Sequence, residues 1–266
     1  MKYIDIAKQI KSRDSKLLNN LPVFIVKLIE RIIKQDGLNQ IINDCAEFDG
    51  PEFLVKALEH ENIKLEIEGM ENLPESGKCF FVANHPFGFV DSMGLNAIIG
   101  SHYGEIKSIG NELFNFIPNL RSLILNVNVF GKNSRNTIIE LNKLYASDVP
   151  ITHFPYGLVS RIHENKVQDK IWKKSFIKKA VTNQRDIVPI RFYGRNSNLF
   201  YSIYRIRKFF GIKANLELML LPREMFRKNG KTIKVKIYPV ISYKTLDKSK
   251  SHEEWAEEIR TLVYQS

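Results

Sequence analysis

The sequence NHPFGFVDS, residues 84–92, places a histidine and an aspartate on a turn rich in Pro and Gly, directly after the apolar run CFFVA. Turns at the carboxyl ends of strands are where α/β sheets carry their reactive groups. An imidazole removes a proton from a hydroxyl efficiently when a carboxylate accepts its other N–H. The spacing predicts that His85 is a general base oriented by Asp91. The alternative is that His85 caps a turn and Asp91 caps the next helix.

The elements that would position this pair follow a βα pattern from about residue 61 onwards. Short β-rich runs alternate with helical stretches, and the runs are KLEIEG, KCFFVAN, DVPITHFPYG and DIVPIRFYG. This alternation predicts an α/β fold with a mostly parallel central sheet flanked by helices. We predict an N-terminal helical segment at residues 1–60 and a sheet-bearing domain at residues 61–266.

Two segments have an amphipathic or aromatic–basic pattern. Residues 16–34 place apolar side chains at helical spacing opposite a basic face, which is typical of a core helix or of a helix at a membrane interface. Residues 199–213 interleave aromatic side chains with Arg205, Arg207 and Lys208. That mixture suits the headgroup layer of a bilayer, a single-stranded nucleic acid, or a half-buried helix whose cations reach solvent.

The net charge of the chain indicates which classes of partner it is expected to bind. A formal net charge of +11 favours polyanions, namely nucleic acid, anionic lipid or an acidic carrier protein. No recognised nucleic-acid motif is present, so we expect no nucleic-acid partner.

The N-terminus lacks a secretory pattern, and no window reaches the roughly 18 apolar residues of a membrane span. We therefore expect a cytoplasmic protein whose contact with lipid is peripheral.

The sequence matches the motifs of phosphate-binding loops, serine esterases and metal sites poorly. The run SGKC at residues 76–79 departs from a phosphate-binding loop, because the nearest upstream glycine is too distant and Cys79 replaces the Ser or Thr. The sequence has no G-x-S-x-G, which disfavours a nucleophilic-serine esterase. The remaining histidines lack a paired metal spacing, so we expect no metal.

The motif NHPFGFVDS resembles the His-Asp motif of the glycerolipid acyltransferase family, which includes bacterial lysophosphatidate acyltransferases. The chain is also similar to the hemolysin-like branch of that family, whose members include O-acyltransferases of ornithine and glycine lipids. The runs that carry this similarity are FPYGLVSR, DKIWKKSFIKKA, IVPIRFYGRNSNLFY and LELMLLPREMF. The similarity extends over nearly the whole chain and implies an acyltransferase domain over residues 61–266.

The resemblance also has departures that bear on the substrate. Five residues separate His85 from Asp91 where most of the family has four, so the loop must bulge, and Gly88 can supply a positive φ. Tyr156 replaces the Glu of the usual Phe-Pro-Glu-Gly motif, beside Gly157. The missing carboxylate makes a polyol phosphate a poorer fit as acceptor.

The resemblance further implies which residues bind substrate. The family's Arg-containing turn is matched loosely by VFGKNSRN, which leads into a helix that we predict to begin near Thr137. Basic side chains beside a helix N-terminus can bind a carboxylate or phosphate, although an exposed basic loop explains them equally well. Backbone N–H groups near Gly157 are candidates for an oxyanion hole. The predicted substrate-binding residues are Asn84, Gly88, Lys132, Arg135, Tyr156, Gly157 and Arg161.

The implied reaction is transfer of a fatty acyl group from acyl carrier protein or coenzyme A to the hydroxyl of a lyso-lipid, without a cofactor. We predict a lyso-amino-acid lipid acceptor, such as lyso-glycine or lyso-ornithine lipid, and peripheral attachment to the anionic inner face of the cytoplasmic membrane. The alternatives are a lysophosphatidate acyltransferase and a membrane-binding protein without catalysis.

Overall fold

A computed structural model describes residues 1–11, 20–111, 117–127 and 133–265. The strands are β1 Lys64–Glu68, β2 Cys79–Ala83, β3 Lys107–Asn111, β4 Ile124–Val127, β5 Ile151–His153, β6 Arg161–His163, β7 Lys166–Gln168, β8 Asp186–Phe192 and β9 Thr232–Ile237. The α-helices are α1 Ile6–Lys11, α2 Val23–Ile32, α3 Gln35–Asp44, α4 Gly50–His60, α5 Phe89–Tyr103, α6 Arg135–Ala146, α7 Ser175–Asn183, α8 Asn198–Phe209, α9 Leu221–Phe226 and α10 His252–Tyr264.

In the described part of the chain, seven strands form one sheet in the order β1-β9-β8-β2-β5-β3-β4, and β6 pairs with β7 separately. Strand β2 is central and runs parallel to both β5 and β8. Among the described ladders of the seven-stranded sheet, only β8–β9 is antiparallel. The predicted α/β fold with a mostly parallel sheet is confirmed. The carboxyl ends of β2, β5 and β8 therefore meet the amino end of β9 at one edge of the sheet.

Strand β2 is buried along its whole length because helices cover both faces of the sheet. Phe81 and Ala83 belong to the core beneath α3, α4 and α5, whereas Phe80 and Val82 belong to the core beneath α7 and α10. Successive side chains of a strand point to opposite faces, so a continuous apolar run satisfies both cores. This double burial fixes the strand that precedes His85.

The core on the α5 side extends into the N-terminal segment. Ile41, Ile42, Phe53 and Leu54, from α3 and α4, are buried in the same cluster as β2. The predicted division at residue 60 therefore does not separate two hydrophobic cores.

Helices α2 and α8 leave apolar side chains in solvent. Of the segment predicted at residues 16–34, residues 16–19 lie outside the described residues, and α2 buries none of its side chains fully. Val23 and Phe24 on α2 are 71% and 69% exposed, and Phe209 and Phe210 at the end of α8 are 84% and 70% exposed. Across the described ranges, we find no helix with the length and apolar character needed to cross a bilayer.

Candidate active site

His85 and Asp91 meet at the carboxyl end of β2, as the sequence predicted. The Nδ1 atom of His85 lies 3.1 Å from Oδ1 of Asp91. The two atoms are within ion-pair distance, but their alignment falls outside hydrogen-bond geometry, so His85 Nδ1 has no hydrogen-bond partner among the described residues. Catalytic hydrogen bonds are often poorly aligned before substrate binds, so this geometry is compatible with a working pair.

Asp91 is held rigidly, since it is fully buried at the start of α5. Its Oδ2 accepts backbone N–H bonds from Phe87 at 2.8 Å and Gly88 at 3.2 Å, and its Oδ1 accepts one from Ser92 at 2.9 Å. Backbone donors at a helix N-terminus stabilise an ionised carboxylate. Asp91 therefore caps α5 and also places its Oδ1 3.1 Å from His85 Nδ1, the position that the predicted orienting role requires.

The imidazole of His85 is positioned by two contacts that the sequence did not reveal. Its ring stacks on Phe154 with centroids 4.0 Å apart and planes 29° apart. The carbonyl of His85 accepts a 2.8 Å hydrogen bond from the N–H of Ser160. The side chain remains 16% exposed, so substrate can reach the ring.

Behind this loop lies a second buried carboxylate, that of Asp169. It accepts hydrogen bonds from the Ser160 hydroxyl at 2.6 Å and from the Trp172 indole at 2.8 Å. Burial raises the pKa of Asp169, although these two hydrogen bonds and the nearby His85 oppose the shift. Ser160 thus links Asp169 to the backbone of His85, and this network stabilises the loop from His85 to Asp91.

Asn84 and Gly88 shape the loop. The Asn84 side chain donates to the Phe192 carbonyl at 3.0 Å and accepts from the Phe192 N–H at 2.7 Å, which continues the pairing of β2 with β8. Gly88 has a φ of 91°, which confirms the predicted positive φ. A Cβ there would lie 2.9 Å from Leu221 and 3.1 Å from Val159. Both residues serve the shape of the loop in this structure.

The segment at residues 154–157, which matches the family's Phe-Pro-Glu-Gly motif, lies beside His85, because Phe154 stacks on the imidazole. Tyr156 is half-buried, and burial raises the pKa of its phenol, which therefore stays neutral near pH 7. Gly157 has a φ of 72° and its N–H donates to the Phe154 carbonyl at 2.9 Å. Because that N–H is already engaged in a turn, an oxyanion would have to compete for it.

The predicted anion-binding residues fall in different environments. Arg135 is exposed and is the first residue of α6, whose N-cap is Ser134, so the helix begins two residues before the predicted Thr137. Thr137 itself donates its N–H to the Ser134 hydroxyl. The predicted residue Lys132 lies outside the described residues.

Arg161 is buried rather than presented to a substrate. It is 3% exposed, and its guanidinium donates to Glu217 at 2.8 and 3.2 Å and to the Val159 carbonyl at 2.5 Å. Arg207, predicted as a lipid-facing cation, binds the same carboxylate. These contacts favour a structural role for both arginines.

Comparison with known proteins identifies the family of the chain. An acyltransferase family model matches residues 8–265. The chain belongs to the acyltransferase family. It is 38% identical to a lyso-glycine lipid O-acyltransferase of Phocaeicola vulgatus, over 98% of this chain and 94% of the relative. It is 36% identical to a protein of the same name from Bacteroides thetaiotaomicron, over 98% and 96% of the two chains.

Among solved structures, the fold is similar to that of the 1-acyl-sn-glycerophosphate acyltransferase PlsC from Thermotoga maritima. The identity is 18%, the coverage is 90% of each chain and the TM-score is 0.44.

This acyltransferase also has an apolar cavity of about 50 Å³ within the core on the α5 side of the sheet. Phe89 and Ser92, which flank Asp91 by one or two residues along the chain, line it together with core side chains of α3, α4 and α5. An apolar cavity of this kind is suited to hydrocarbon, although at this volume its walls must move before a fatty chain can enter.

Proposed function

We propose that this acyltransferase transfers a fatty acyl group from a thioester donor to the hydroxyl of lyso-glycine lipid. Two relatives that bear this activity in their names resemble the chain over nearly its whole length, and that observation carries the proposal. The His85–Asp91 pair at the strand end supplies the required chemistry. Acyl carrier protein or coenzyme A would carry the donor, and no cofactor takes part.

The proposed step is a direct transfer with no covalent acyl-enzyme. With the Nδ1 side of His85 facing Asp91, Nε2 is the nitrogen available to remove the proton of the acceptor hydroxyl. The hydroxyl oxygen then bonds to the thioester carbonyl carbon and the carbon–sulfur bond breaks. The proton on Nε2 passes to the leaving thiolate, which restores neutral His85 and releases a thiol.

Recognition of the acceptor would use one cation and one neutral ring. Arg135 is exposed at the N-terminus of α6, where its guanidinium and the helix amides can bind a glycine carboxylate. Tyr156 offers a neutral phenol and an apolar ring, which suit an acyl-amide better than a polyol phosphate. Arg161 is taken up by Glu217, so we assign the carboxylate to Arg135.

We test the acceptor by competition. The purified enzyme, supplied with one acyl donor, receives lyso-glycine lipid and lysophosphatidate together. We expect a kcat/KM at least about 10-fold higher for lyso-glycine lipid, since one correctly paired charged hydrogen bond contributes about 1.5–3 kcal/mol. A lyso-ornithine lipid in a third reaction measures the specificity for the headgroup. A higher kcat/KM for lysophosphatidate would refute the amino-lipid acceptor.

The enzyme should dock on the membrane through α2 and the end of α8. Ile32 of α2 and Ile203 of α8 pack against the same small core, which makes the two helices neighbours. Phe209 and Phe210 protrude beside the exposed Arg205 and Lys208. Aromatic rings with nearby cations favour the interface of an anionic bilayer, so we propose peripheral binding at the inner face of the cytoplasmic membrane.

A pair of substitutions tests this docking. Phe209→Ser with Phe210→Ser should weaken binding to phosphatidylglycerol-containing vesicles by at least about 10-fold, because each phenyl ring contributes on the order of 1.5–3 kcal/mol when buried. Binding by the wild-type enzyme should also fall as salt rises. Val240→Ser, at an exposed apolar residue beyond the opposite end of β9, serves as the control. Equal vesicle sedimentation by the double variant and the wild type would contradict this docking surface.

A further inference from the structure

An open, basic cleft of about 820 Å³ lies on the β8–β9 side of the catalytic loop. It is formed by the segment after β8, the start of α8, and the segment from α9 to the start of β9. Of the described residues that line it, one is acidic, Glu224, and five are cationic: Arg195, Arg223, Arg227, Lys228 and Lys231. The function proposed above leaves this cleft unused.

The single carboxylate offsets only part of the positive charge, because the lining has one acidic and five cationic residues. Glu224 lies 3.4 Å from the Arg223 guanidinium and 3.9 Å from that of Arg227. Glu224 is 2% exposed and accepts hydrogen bonds from the Ser197 N–H at 2.7 Å and the Ser197 hydroxyl at 2.6 Å. It thereby fixes the start of α8, where Ser197 is the N-cap. The cleft therefore has a net positive charge, and the backbone N–H groups at the start of α8 lie near it.

The cleft is joined directly to the catalytic loop. Phe87, two residues after His85, lines it and packs its ring against Gly194, where a Cβ would lie 2.3 Å from the ring. The Lys228 ammonium lies 4.6 Å from the centre of the same ring and donates to the Arg195 carbonyl at 3.0 Å. A ligand in the cleft would therefore touch the residue that follows the His-Pro turn.

One buried polar atom in the lining lacks a partner. Asn196 is 2% exposed, and its amide NH₂ donates to the Phe87 carbonyl at 3.2 Å. Its Oδ1 has no hydrogen-bond partner among the residues that the structure describes. A buried amide oxygen left unsatisfied costs free energy, and an N–H group of a ligand would remove that cost. The cations of the lining and the unpaired Oδ1 of Asn196 therefore favour a ligand that carries both anionic groups and an amide N–H.

The position of the cleft indicates which substrate it serves. Strand β9 lies two strands away from β2, at roughly 10 Å, on the opposite side of β2 from β5, β3 and β4. Arg135, the proposed acceptor contact, begins the helix that follows β4. Arg135 therefore lies on the other side of the His85–Asp91 pair from the cleft. The two basic regions flank His85, which is the arrangement needed for a two-substrate transfer.

We infer that this cleft binds the phosphate-bearing pantetheine arm of the acyl donor, an inference that rests on the proposed thioester chemistry. Pantetheine carries two amide N–H groups and is built of three units, each at least as long as an amino-acid residue. It can therefore span at least about 10 Å between its phosphate and its sulfur. The phosphate would pair with the cations around Arg227 and Lys231, an amide would meet Asn196, and the thioester would reach His85. Coenzyme A and acyl carrier protein share this arm.

The test is a charge reversal in the full-length enzyme, Arg227→Glu with Lys231→Glu, at two exposed positions. The matched control is Lys244→Glu with Lys248→Glu, which makes the same change of charge beyond the opposite end of β9. We expect the KM for the acyl donor to rise at least about 10-fold while the KM for the acceptor and the kcat at saturation stay within about 2-fold. The control should match the wild type.

Three donors carrying the same acyl chain separate the sources of the phosphate. Acyl-coenzyme A and acyl carrier protein are compared with the phosphate-free acyl-pantetheine thioester. The wild type should use the phosphate-free donor poorly and no better than the reversed variant, and the better of the two phosphate donors identifies the carrier. Calorimetric titration of the protein with coenzyme A, and separately with the carrier protein, tests binding without any acceptor.

A raised KM for the acceptor with an unchanged KM for the donor would overturn the inference, as would loss of vesicle binding with unchanged kinetics. Unchanged values throughout would overturn it as well. If the enzyme acylates lysophosphatidate instead of lyso-glycine lipid, the proposed acceptor fails, but the ratio of donor KM values still decides the role of the cleft. If no acceptor is used, the titrations decide it.

Discussion

Replacing His85 with alanine is expected to lower kcat by about 10²- to 10⁴-fold, the usual effect of removing a general base. The imidazole is the exposed titratable group of the loop, it is 3.1 Å from Asp91, and it stacks on Phe154. Asp91, the other titratable side chain of residues 84–92, is fully buried and so is shielded from the acceptor hydroxyl. Initial rates at saturating donor and acceptor measure the effect.

Asp91→Asn should lower kcat to a similar degree while preserving the size of the side chain. The neutral amide can no longer stabilise the imidazolium. In one of its two orientations, the amide would also direct its NH₂ group at the N–H groups of Phe87 and Gly88, which now bind Oδ2. His102→Ala, at an exposed histidine near the far end of α5, is the control. Circular dichroism and thermal melting verify that each variant is folded. A folded His85→Ala enzyme with near wild-type turnover would show that another residue is the base.

The part of the site that could be predicted from sequence is the part that is contiguous. His85, Gly88 and Asp91 lie within seven residues, directly after a strand that is apolar at every position. The strand end, the positive φ and the His-Asp approach all follow from local residue types, and the structure confirms each. The capping box of Ser251 and Glu254 at the start of α10 is local in the same way, since both residues lie within one turn.

The supporting contacts join residues that are far apart in the chain, and no local pattern marks them. Phe154 reaches His85 because β5 lies beside β2, and Asp169 contacts the loop through Ser160 and through the backbone of His85. A sequence shows that Asp169 is acidic but not that it is fully buried. Sheet order, rather than residue type, decides these contacts.

The arginines show the same limit more clearly. From the sequence, both Arg135 and Arg161 are candidates for an anion contact. In the structure, Arg135 is exposed, whereas Arg161 is buried, with only 3% of its surface accessible. The difference is Glu217, which lies 56 residues after Arg161 and also binds Arg207. A carboxylate at that distance in sequence cannot be paired with an arginine without the fold.

Glu217 is therefore the residue whose loss should cost the most stability. It is fully buried between two guanidinium groups, and Arg207 also donates to Asn215 and to the Ile212 carbonyl. Glu217→Ala would leave two buried cations without their shared counter-charge, at a cost of about 3–5 kcal/mol in the free energy of unfolding. Chemical denaturation of the purified protein, monitored by circular dichroism, measures it.

The same triad should make the fold sensitive to acid. Burial alone would raise the pKa of Glu217, but hydrogen bonds from Arg207 and Arg161 outweigh it, so the pKa lies below its usual value of 4.5. A carboxyl whose pKa is depressed in the folded state stabilises the protein above the unfolded pKa, and this contribution is lost as the pH falls through the folded pKa. The wild type should thus lose stability below about pH 4.5, and Glu217→Ala should lose less over that range.

Two further variants separate the buried triad from a surface ion pair. Glu217→Gln keeps the shape of the side chain and should still be destabilised, because the neutral amide leaves the two arginines uncompensated. Glu253→Gln removes the partner of Lys174 in an exposed pair, and its denaturation midpoint should barely move. Since Arg161 follows Ser160, which binds the His85 backbone, the Glu217 variants should also lose activity as they unfold. A Glu217→Ala protein as stable as the wild type would mean that water replaces the carboxylate and that the triad is not a closed, buried cluster.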